Sequence, residues 1–184
     1  MIKNDFRQLC IKKLKICSKQ NKLYKNKYIV NEILKVIKIE KPKHILLYIP
    51  LDMEVDVRSV INKLRKEYKC KVYVPYMVNK TLKAVPYRLP LNVKKYNIKE
   101  PKNSYTKYRL NLDLAIVPII GTDITYRRIG FGVGFYDRFF SSLKKQPKII
   151  FTQLCLCKYS QNITQMHDIK ANYIITNKGT IWNK

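Results

Sequence analysis

The stretch HILLYIPLDMEVDVRSVINKLRKEYKCKVYVP, residues 44–75, decides the fold. Its first segment, HILLYIP (44–50), is a short apolar run closed by a proline, and its last, KVYVP (71–75), has the same form. Both read as buried strands. Between them, DVRSVINKLRKEY (56–68) reads as a helix, with Asp56 near its N-terminus, where a carboxylate is favoured. A strand, a helix and a second strand, with the strands continuously apolar, is the unit of a parallel sheet.

Working outward, LKAVPYR (82–88) reads as another strand, interrupted by Pro86, and residues 89–111 as an irregular loop containing Pro and Asn. LDLAIVP (112–118), KIIFTQLCL (148–156) and ANYIIT (171–176) are expected as strands, and YDRFFSSL (136–143) as a helix. Upstream, residues 2–39 read as helical. Ile2, Phe6, Leu9, Cys10, Lys13 and Leu14 have amphipathic spacing, and KYIVNEILKVIKI (27–39) continues it after a polar break. No repeat and no linker is visible. The expected fold class is α/β: a single domain over residues 1–184, with a mostly parallel sheet and helices on both faces. Ligands of such sheets bind at the carboxyl ends of the strands, so the loops after Pro50, Pro75 and Pro118 are the places to look.

The chain has 184 residues, 46% of them hydrophobic, which excludes a disordered chain. No apolar run approaches the ~18 residues of a membrane span. The N-terminus has neither a continuous apolar region nor a small-residue cleavage site, so no secretory signal is expected and the expected location is cytoplasmic. The charge is +26, from 38 basic and 12 acidic residues. That balance alone suggests a polyanionic partner. However, Lys far outnumbers Arg, Ile, Asn and Tyr are abundant, Gly and Ala are scarce, and the basic residues are spread along the chain. This is the pattern of an AT-rich coding sequence that drifts solvated positions to Lys. Nucleic acid is therefore not the expected partner, and a basic nucleic-acid-binding α/β protein without catalysis stands as the alternative class.

Five cysteines, an odd number without regular spacing, do not suggest a disulfide framework; small buried reduced thiols are expected. Cys155 and Cys157 alternate and are expected on one face of a strand. A metal site among them is a weak alternative, since no CxxC pair exists and the two His lie far apart in sequence.

Three of the five glycines, Gly130, Gly132 and Gly134, fall in RRIGFGVGFYDRFF (127–140). Glycines at alternate positions before a helix let the backbone approach a ligand and present bare N–H groups, a cradle for a phosphate chain flanked by Arg128 and Arg138. The pattern is neither GxGxxG nor a Walker A motif. A tight turn that packs a helix on the sheet explains the glycines equally well. Asp137, just beyond, suits a Mg²⁺ that takes carboxylate and phosphate oxygens together. The rings of Phe135 and Tyr136 could face a flat ligand.

DLAIVPIIGTDITYRRIGFGVGFYDRFF (113–140) resembles the core motif of the 5-formyltetrahydrofolate cyclo-ligases, also called 5,10-methenyltetrahydrofolate synthetases. Members typically carry an apolar DL-x-x-x-P strand and then F-D-x-x-G-x-R-L-G-x-G-x-G-Y-Y-D. The resemblance covers essentially the whole chain. Lys3 and Arg7 match a Lys-x-x-x-Arg on the first helix, Glu54 and Asp56 an acidic pair after the first strand, NIKEP (97–101) a Gly-Ile-x-Glu-Pro, and Asp168 the Asp of a Pro-His-Asp. The resemblance implies that ATP phosphorylates the formyl oxygen of 5-formyltetrahydrofolate, that N10 then closes on the activated carbon, and that phosphate leaves. The expected substrates are thus 5-formyltetrahydrofolate and ATP, with Mg²⁺ as cofactor and no covalent catalytic residue.

By the same resemblance, Lys3, Arg7, Arg128, Ile129, Gly130, Phe131, Gly132, Val133, Gly134, Phe135 and Tyr136 would bind ATP. Ile49, Glu54 and Phe131 to Phe135 (with Gly132, Val133 and Gly134) would bind the folate, Glu54 accepting from the pterin amino and ring N–H groups. Asp137 and Asp168 would hold Mg²⁺. Each residue also has a plain reading: Lys3 and Arg7 as solvated charges one helical turn apart, Ile49 as core, Asp137 as a helix-start carboxylate, Asp168 as a loop residue. The sequence departs from the pattern in having Phe135 for the first Tyr, Val133 where many members have Lys or Gly, Tyr126 for a glycine, and MHD for PHD. A protein of this fold that had kept only folate binding is a third possibility. A monomer is expected.

Overall fold

The computed structural model describes residues 2–93, 99–102 and 108–182. Two helices open the chain, α1 (Lys3–Lys19) and α2 (Lys22–Glu40). The expected polar break between them is a turn at Asn21, whose φ is 47°. β1 (His44–Leu46), α3 (Arg58–Lys66) and β2 (Lys71–Val78) follow as the strand, helix and strand read from residues 44–75. Asp56 lies just ahead of α3 and its Oδ1 accepts from the Arg58 amide at 3.1 Å, satisfying one of the helix's open donors.

β2 turns at Asn79–Lys80 into β3 (Thr81–Pro86). β4 (Leu91–Val93) and β5 (Lys99–Pro101) pair as a separate antiparallel ribbon within the stretch expected to be an irregular loop. Their few residues have too little apolar alternation to betray a strand. Asn97 and Ile98 of the NIKEP match lie outside the described residues. β6 (Leu114–Pro118), a small ribbon of β7 (Gly121–Thr122) and β8 (Arg128–Ile129), α4 (Phe135–Ser141), β9 (Lys148–Thr152), β10 (Tyr173–Thr176) and β11 (Gly179–Trp182) complete the chain.

The main sheet runs β11-β10-β9-β6-β1-β2-β3. The pairs from β10 through β2 are parallel, and the two edges, β3 and β11, are antiparallel. β6 is buried throughout. Alternate residues feed two cores. Ile45, Leu114, Ile116 and Ile150 pack with α1, α2 and α3 on one face. Leu46, Ala115, Val117 and Phe151 pack with Phe139 and Phe140 of α4 on the other. Among the described residues, no helix is long and apolar enough to cross a membrane.

Two expectations are corrected. The strand expected over 148–156 ends at Thr152, because Gln153 turns its amide oxygen to the Cys157 N–H and its amide nitrogen to the Ile120 carbonyl. Cys155 and Cys157 therefore follow the strand and do not share a strand face. Nor are all five cysteines reduced: Cys10 and Cys157 form a disulfide across a sequence separation of 147, leaving Cys17, Cys70 and Cys155 as free thiols. Nothing in local spacing signals a pairing that only the packing of α1 against the sheet creates.

The ribbon β7–β8 and the segment near residue 164 are fastened by Asp123, which is fully buried. Its Oδ1 accepts from the amide and hydroxyl of Thr125, and its Oδ2 from the amides of Ile163 and Thr164 and the Thr164 hydroxyl. Burial is the largest single influence and raises the carboxyl, but the Thr125, Thr164 and Ile163 bonds together outweigh it and bring it down to about 2. The stability this supplies is present above the unfolded carboxyl range near pH 4 and is lost as the pH falls toward 2. Asp123→Ala should cost about 3 kcal/mol near neutral pH by orphaning these donors, and the loss should be smaller at pH 2 in urea-melt comparisons with the unaltered protein.

Candidate functional site

β1 leads through α3 to β2 on one side, and the chain then returns to place β6 on the other side of β1. The carboxyl ends of β1 and β6 are thus a switch point of strand order, where α/β sheets open a crevice. A cavity of about 380 Å³ lies there. Tyr48, Ile49 and Pro118 come from the two strand ends, Pro75, Met77 and Leu82 from the β2–β3 hairpin, and Phe131, Phe135 and Tyr136 from the glycine segment and α4. Among the described residues Glu54 is the carboxylate in this largely apolar wall.

A second cavity, about 340 Å³, adjoins the first and is of opposite character. Lys3 and Arg7 reach it from the first turns of α1, Asp137, Arg138 and Ser141 from α4, and His167 and Asp168 from the loop before β10. Gly130 and Gly132 form part of its lining. Arg128, Val133 and Gly134 line both cavities and so form a shared partition.

The glycine segment has this course for physical reasons. Gly132 and Gly134 have φ of 100° and 75°, in the region that side chains disfavour. Gly130 is needed for space: a Cβ there would lie 2.2 Å from Arg128 Nη1 and 2.5 Å from its Cζ. The obstructing group is the end of a flexible side chain, so Gly130→Ala should fold with little loss of stability while pushing the guanidinium out of place. An activity loss of roughly 10–100-fold with an almost unchanged melting temperature is the expected pair of results.

Each of the two carboxylates already faces a cation. Lys3 Nζ lies 2.5 Å from Asp168 Oδ2, which also accepts from the Gln165 amide at 2.7 Å. Arg128 Nη1 is 3.7 Å from Asp137 Oδ2, while Asp137 Oδ1 accepts from the Ile169 amide at 3.2 Å. Arg128 is only 7% exposed. Its Nε donates to the Pro118 carbonyl at 3.3 Å and its guanidinium lies 4.9 Å from the Tyr136 ring centre. Arg7 Nε donates to the Gly130 carbonyl at 2.8 Å, tying α1 to the glycine segment. Arg138 ties the same segment to the β2–β3 turn through the carbonyls of Val133 and Lys80.

Glu54 Oε2 accepts from the Leu51 amide at 2.9 Å. Burial pushes its carboxyl up to about 7, against the opposing pull of that amide and of Arg128 and Lys22. A ligand that donates N–H groups to Glu54 needs the carboxylate, so its affinity should strengthen as the pH rises through 7. Between pH 8 and pH 6 the dissociation constant should rise about tenfold. Titration calorimetry with a reduced folate checks this, and Glu54→Gln should flatten the profile.

The structure therefore brings together Lys3, Arg7, Arg128, Gly130, Gly132, Val133, Gly134, Asp137 and Asp168 around the polar cavity, and Ile49, Glu54, Phe131, Val133, Gly134, Phe135 and Tyr136 around the apolar one. Phe131, Phe135 and Tyr136 do not line the polar cavity. Ile129 lines neither, its side chain being part of the core under α1–α3. Sequence reading missed Tyr48, Pro75, Met77, Leu82, Ser141 and His167. Ser141 lies one turn beyond Asp137 on α4, a signal that was there to use; Pro75 and Met77 lie where the loop after the second strand was expected to open on the site, while Leu82 gave no signal, because only the pairing of β2 with β3 places it. Among the described residues no three His, Cys, Asp or Glu side chains cluster as a closed metal site. Tyr126 has φ 59°, which explains why the motif has glycine there. Its ring lies 4.2 Å from Lys158 Nζ.

A sequence profile of the 5-formyltetrahydrofolate cyclo-ligase family matches residues 2–177. A Haemophilus influenzae protein named 5-formyltetrahydrofolate cyclo-ligase is 28% identical over 147 residues, 76% of this chain and 78% of that protein. The fold is similar to that of the Aquifex aeolicus 5,10-methenyltetrahydrofolate synthetase, with TM-score 0.78 and 20% identity over 99% of this chain and 93% of that one. It is also similar to that of the Mycoplasma pneumoniae 5,10-methenyltetrahydrofolate synthetase, with TM-score 0.74 and 21% identity over 95% of this chain and 98% of that one.

Proposed function

Since the chain belongs to the 5-formyltetrahydrofolate cyclo-ligase family, we propose that it closes 5-formyltetrahydrofolate to 5,10-methenyltetrahydrofolate, converting ATP to ADP and phosphate. The observation that carries this reading is the shared partition: a flat-walled apolar cavity with one carboxylate meets a cationic cavity along Arg128, Val133 and Gly134. A formyl oxygen leaves readily only after phosphorylation, so the reaction needs a folate and a polyphosphate held within reach of one another. Positioning and charge neutralisation then supply most of the catalysis.

The pterin would enter between Ile49, Phe135 and Tyr136, with its N–H groups on Glu54, and its formyl oxygen would face the partition. The triphosphate would lie along Gly130 to Gly134 with Lys3, Arg7 and Arg128 around it. Arg128, which lines both cavities, would counter the charge of the phosphoryl group as it passes from ADP to the formyl oxygen. The phosphorylated formyl carbon is then open to N10 of the same folate, and phosphate departs into the polar cavity.

Asp137 and Asp168 fit a Mg²⁺ that arrives with the nucleotide better than one bound by protein alone. They are two carboxylates beside a phosphate-sized cavity, and each already faces a cation. Incoming phosphates would compete for Lys3 and Arg128 and so free carboxylate oxygens. The ion would supply neutralisation of the phosphate charge.

The test is the near-ultraviolet absorbance band of methenyl-folate, followed with purified protein, 5-formyltetrahydrofolate and ATP, with and without Mg²⁺. The band should grow only in the complete mixture. Its absence with folded protein would overturn the proposal, and growth without ATP or Mg²⁺ would overturn the corresponding part.

A further inference from the structure

Beyond the two cavities, four of the five cysteines meet between α1 and the segment that follows β9. Cys10 and Cys17 are seven residues apart on α1, two turns along one face, and both are buried. Opposite them, residues 153–157 leave the sheet. Cys10 is joined to Cys157 with a Cα–Cα separation of 5.9 Å. Lys13, between the two helix cysteines, donates to the Leu156 carbonyl at 2.8 Å and so holds the segment alongside the helix. Two turns on from Cys10, Cys17 lies in the core cluster against which Cys155 packs, and the Cys17 thiol is one of the groups that act on Cys155. The ammonium of Lys25 on α2 lies 3.1 Å from Cys17 Sγ. Cys17 is buried, whereas Cys155 is partly exposed.

We propose that Cys17 and Cys155 are a second redox-active pair, closed by a low-molecular-weight disulfide such as oxidised glutathione into a cross-link parallel to Cys10–Cys157. The chemistry is ordinary thiol–disulfide exchange. Cys155, the accessible member, gives up its proton and attacks one sulfur of the glutathione disulfide; that S–S bond breaks and one glutathione thiolate leaves. Cys17, its sulfur facing the Lys25 ammonium, then attacks the Cys155 sulfur of the mixed disulfide and expels the second glutathione thiolate. Two protein thiols lose two electrons and two protons, and one glutathione disulfide becomes two glutathione thiols. Burial and the neighbouring Cys17 push the Cys155 thiol up to about 12, so the thiolate is scarce and closure is slow at neutral pH. The consequence is mechanical. With both cross-links formed, the helix that carries Lys3 and Arg7 is fastened at two points to the segment beyond β9.

The full-length protein is incubated in glutathione buffers of increasing oxidised fraction, quenched by alkylation, unfolded and mapped by peptide mass. The expected result is a linked Cys17–Cys155 peptide that replaces two alkylated cysteines, while Cys70 stays alkylated throughout. Cys17→Ser should instead accumulate glutathione on Cys155, because the resolving thiol is gone. The proposal is overturned if the unaltered protein also stops at a glutathione adduct, if both thiols remain alkylated at the most oxidising ratio, or if Cys155 pairs elsewhere. The readout is covalent and independent of the cyclo-ligase reading, which the absorbance assay tests separately.

Discussion

Arg128→Met should lower kcat/KM for methenyl-folate formation by about 10³-fold or more while leaving the fold intact. Among the described residues Arg128 is the one charged side chain that lines both cavities, and it is nearly buried, so solvent cannot replace it. Met keeps most of the apolar stem that packs beside Tyr136 and removes the charge. Two further changes should accompany the loss. Arg128 is one of the groups that holds the Glu54 carboxyl down, so the pH profile of folate binding should move upward in the variant. Asp137 should lose its ion pair and keep only the Ile169 amide. Steady-state absorbance kinetics, titration calorimetry and a thermal melt decide the matter together. A loss below tenfold, with normal folding, would remove Arg128 from the chemistry.

Asp137→Asn should separate turnover from folate binding. Asp137 lines the polar cavity and not the apolar one, so the folate dissociation constant should stay within about twofold while turnover falls roughly 10²–10³-fold. Asn keeps the volume and one acceptor for the Ile169 amide, so instability should not contribute. A titration of turnover against Mg²⁺ should shift to higher concentrations. Unchanged turnover would show that this carboxylate does not hold the metal; lost folate binding would show that the two cavities are not occupied as proposed.

The alternation of buried strands and helices was legible from residues 44–75 because a strand covered on both faces carries an unbroken apolar run, as Ile45–Leu46 does in β1, Val72–Val74 in β2 and all of β6. The two cavities were partly legible. Gly130, Gly132 and Gly134 concentrate in a glycine-poor chain, and Lys3, Arg7, Glu54 and Asp168 could be placed only by family resemblance. Nothing local distinguishes Lys3 from the many other lysines, and what sets it apart is the ion pair to a residue 165 positions away. Ile129 is expected at the site by the same resemblance, but alternation in β8 turns its side chain into the core, while the neighbouring Arg128 lines both cavities. The Cys10–Cys157 bond was illegible because it exists only once segments 147 positions apart have packed, and Leu82 because only the hairpin pairing turns it to the cavity; the loop after Pro75 was pointed to by the sheet pattern alone. β4, β5 and β11 escaped because pairing, and not apolar pattern, makes them strands.

The partition between the cavities has a consequence for selectivity and for inhibition. Val133 and Gly134 line both cavities, so with folate and nucleotide bound as proposed neither affinity could be tuned there in isolation. Substitutions at these positions should show non-additive effects with changes in either cavity. One molecule carrying a pterin at one end and a polyphosphate mimic at the other, joined by a linker that clears the partition, would bind its second half at high effective concentration. Its affinity would exceed that of either half by far more than new contacts alone supply.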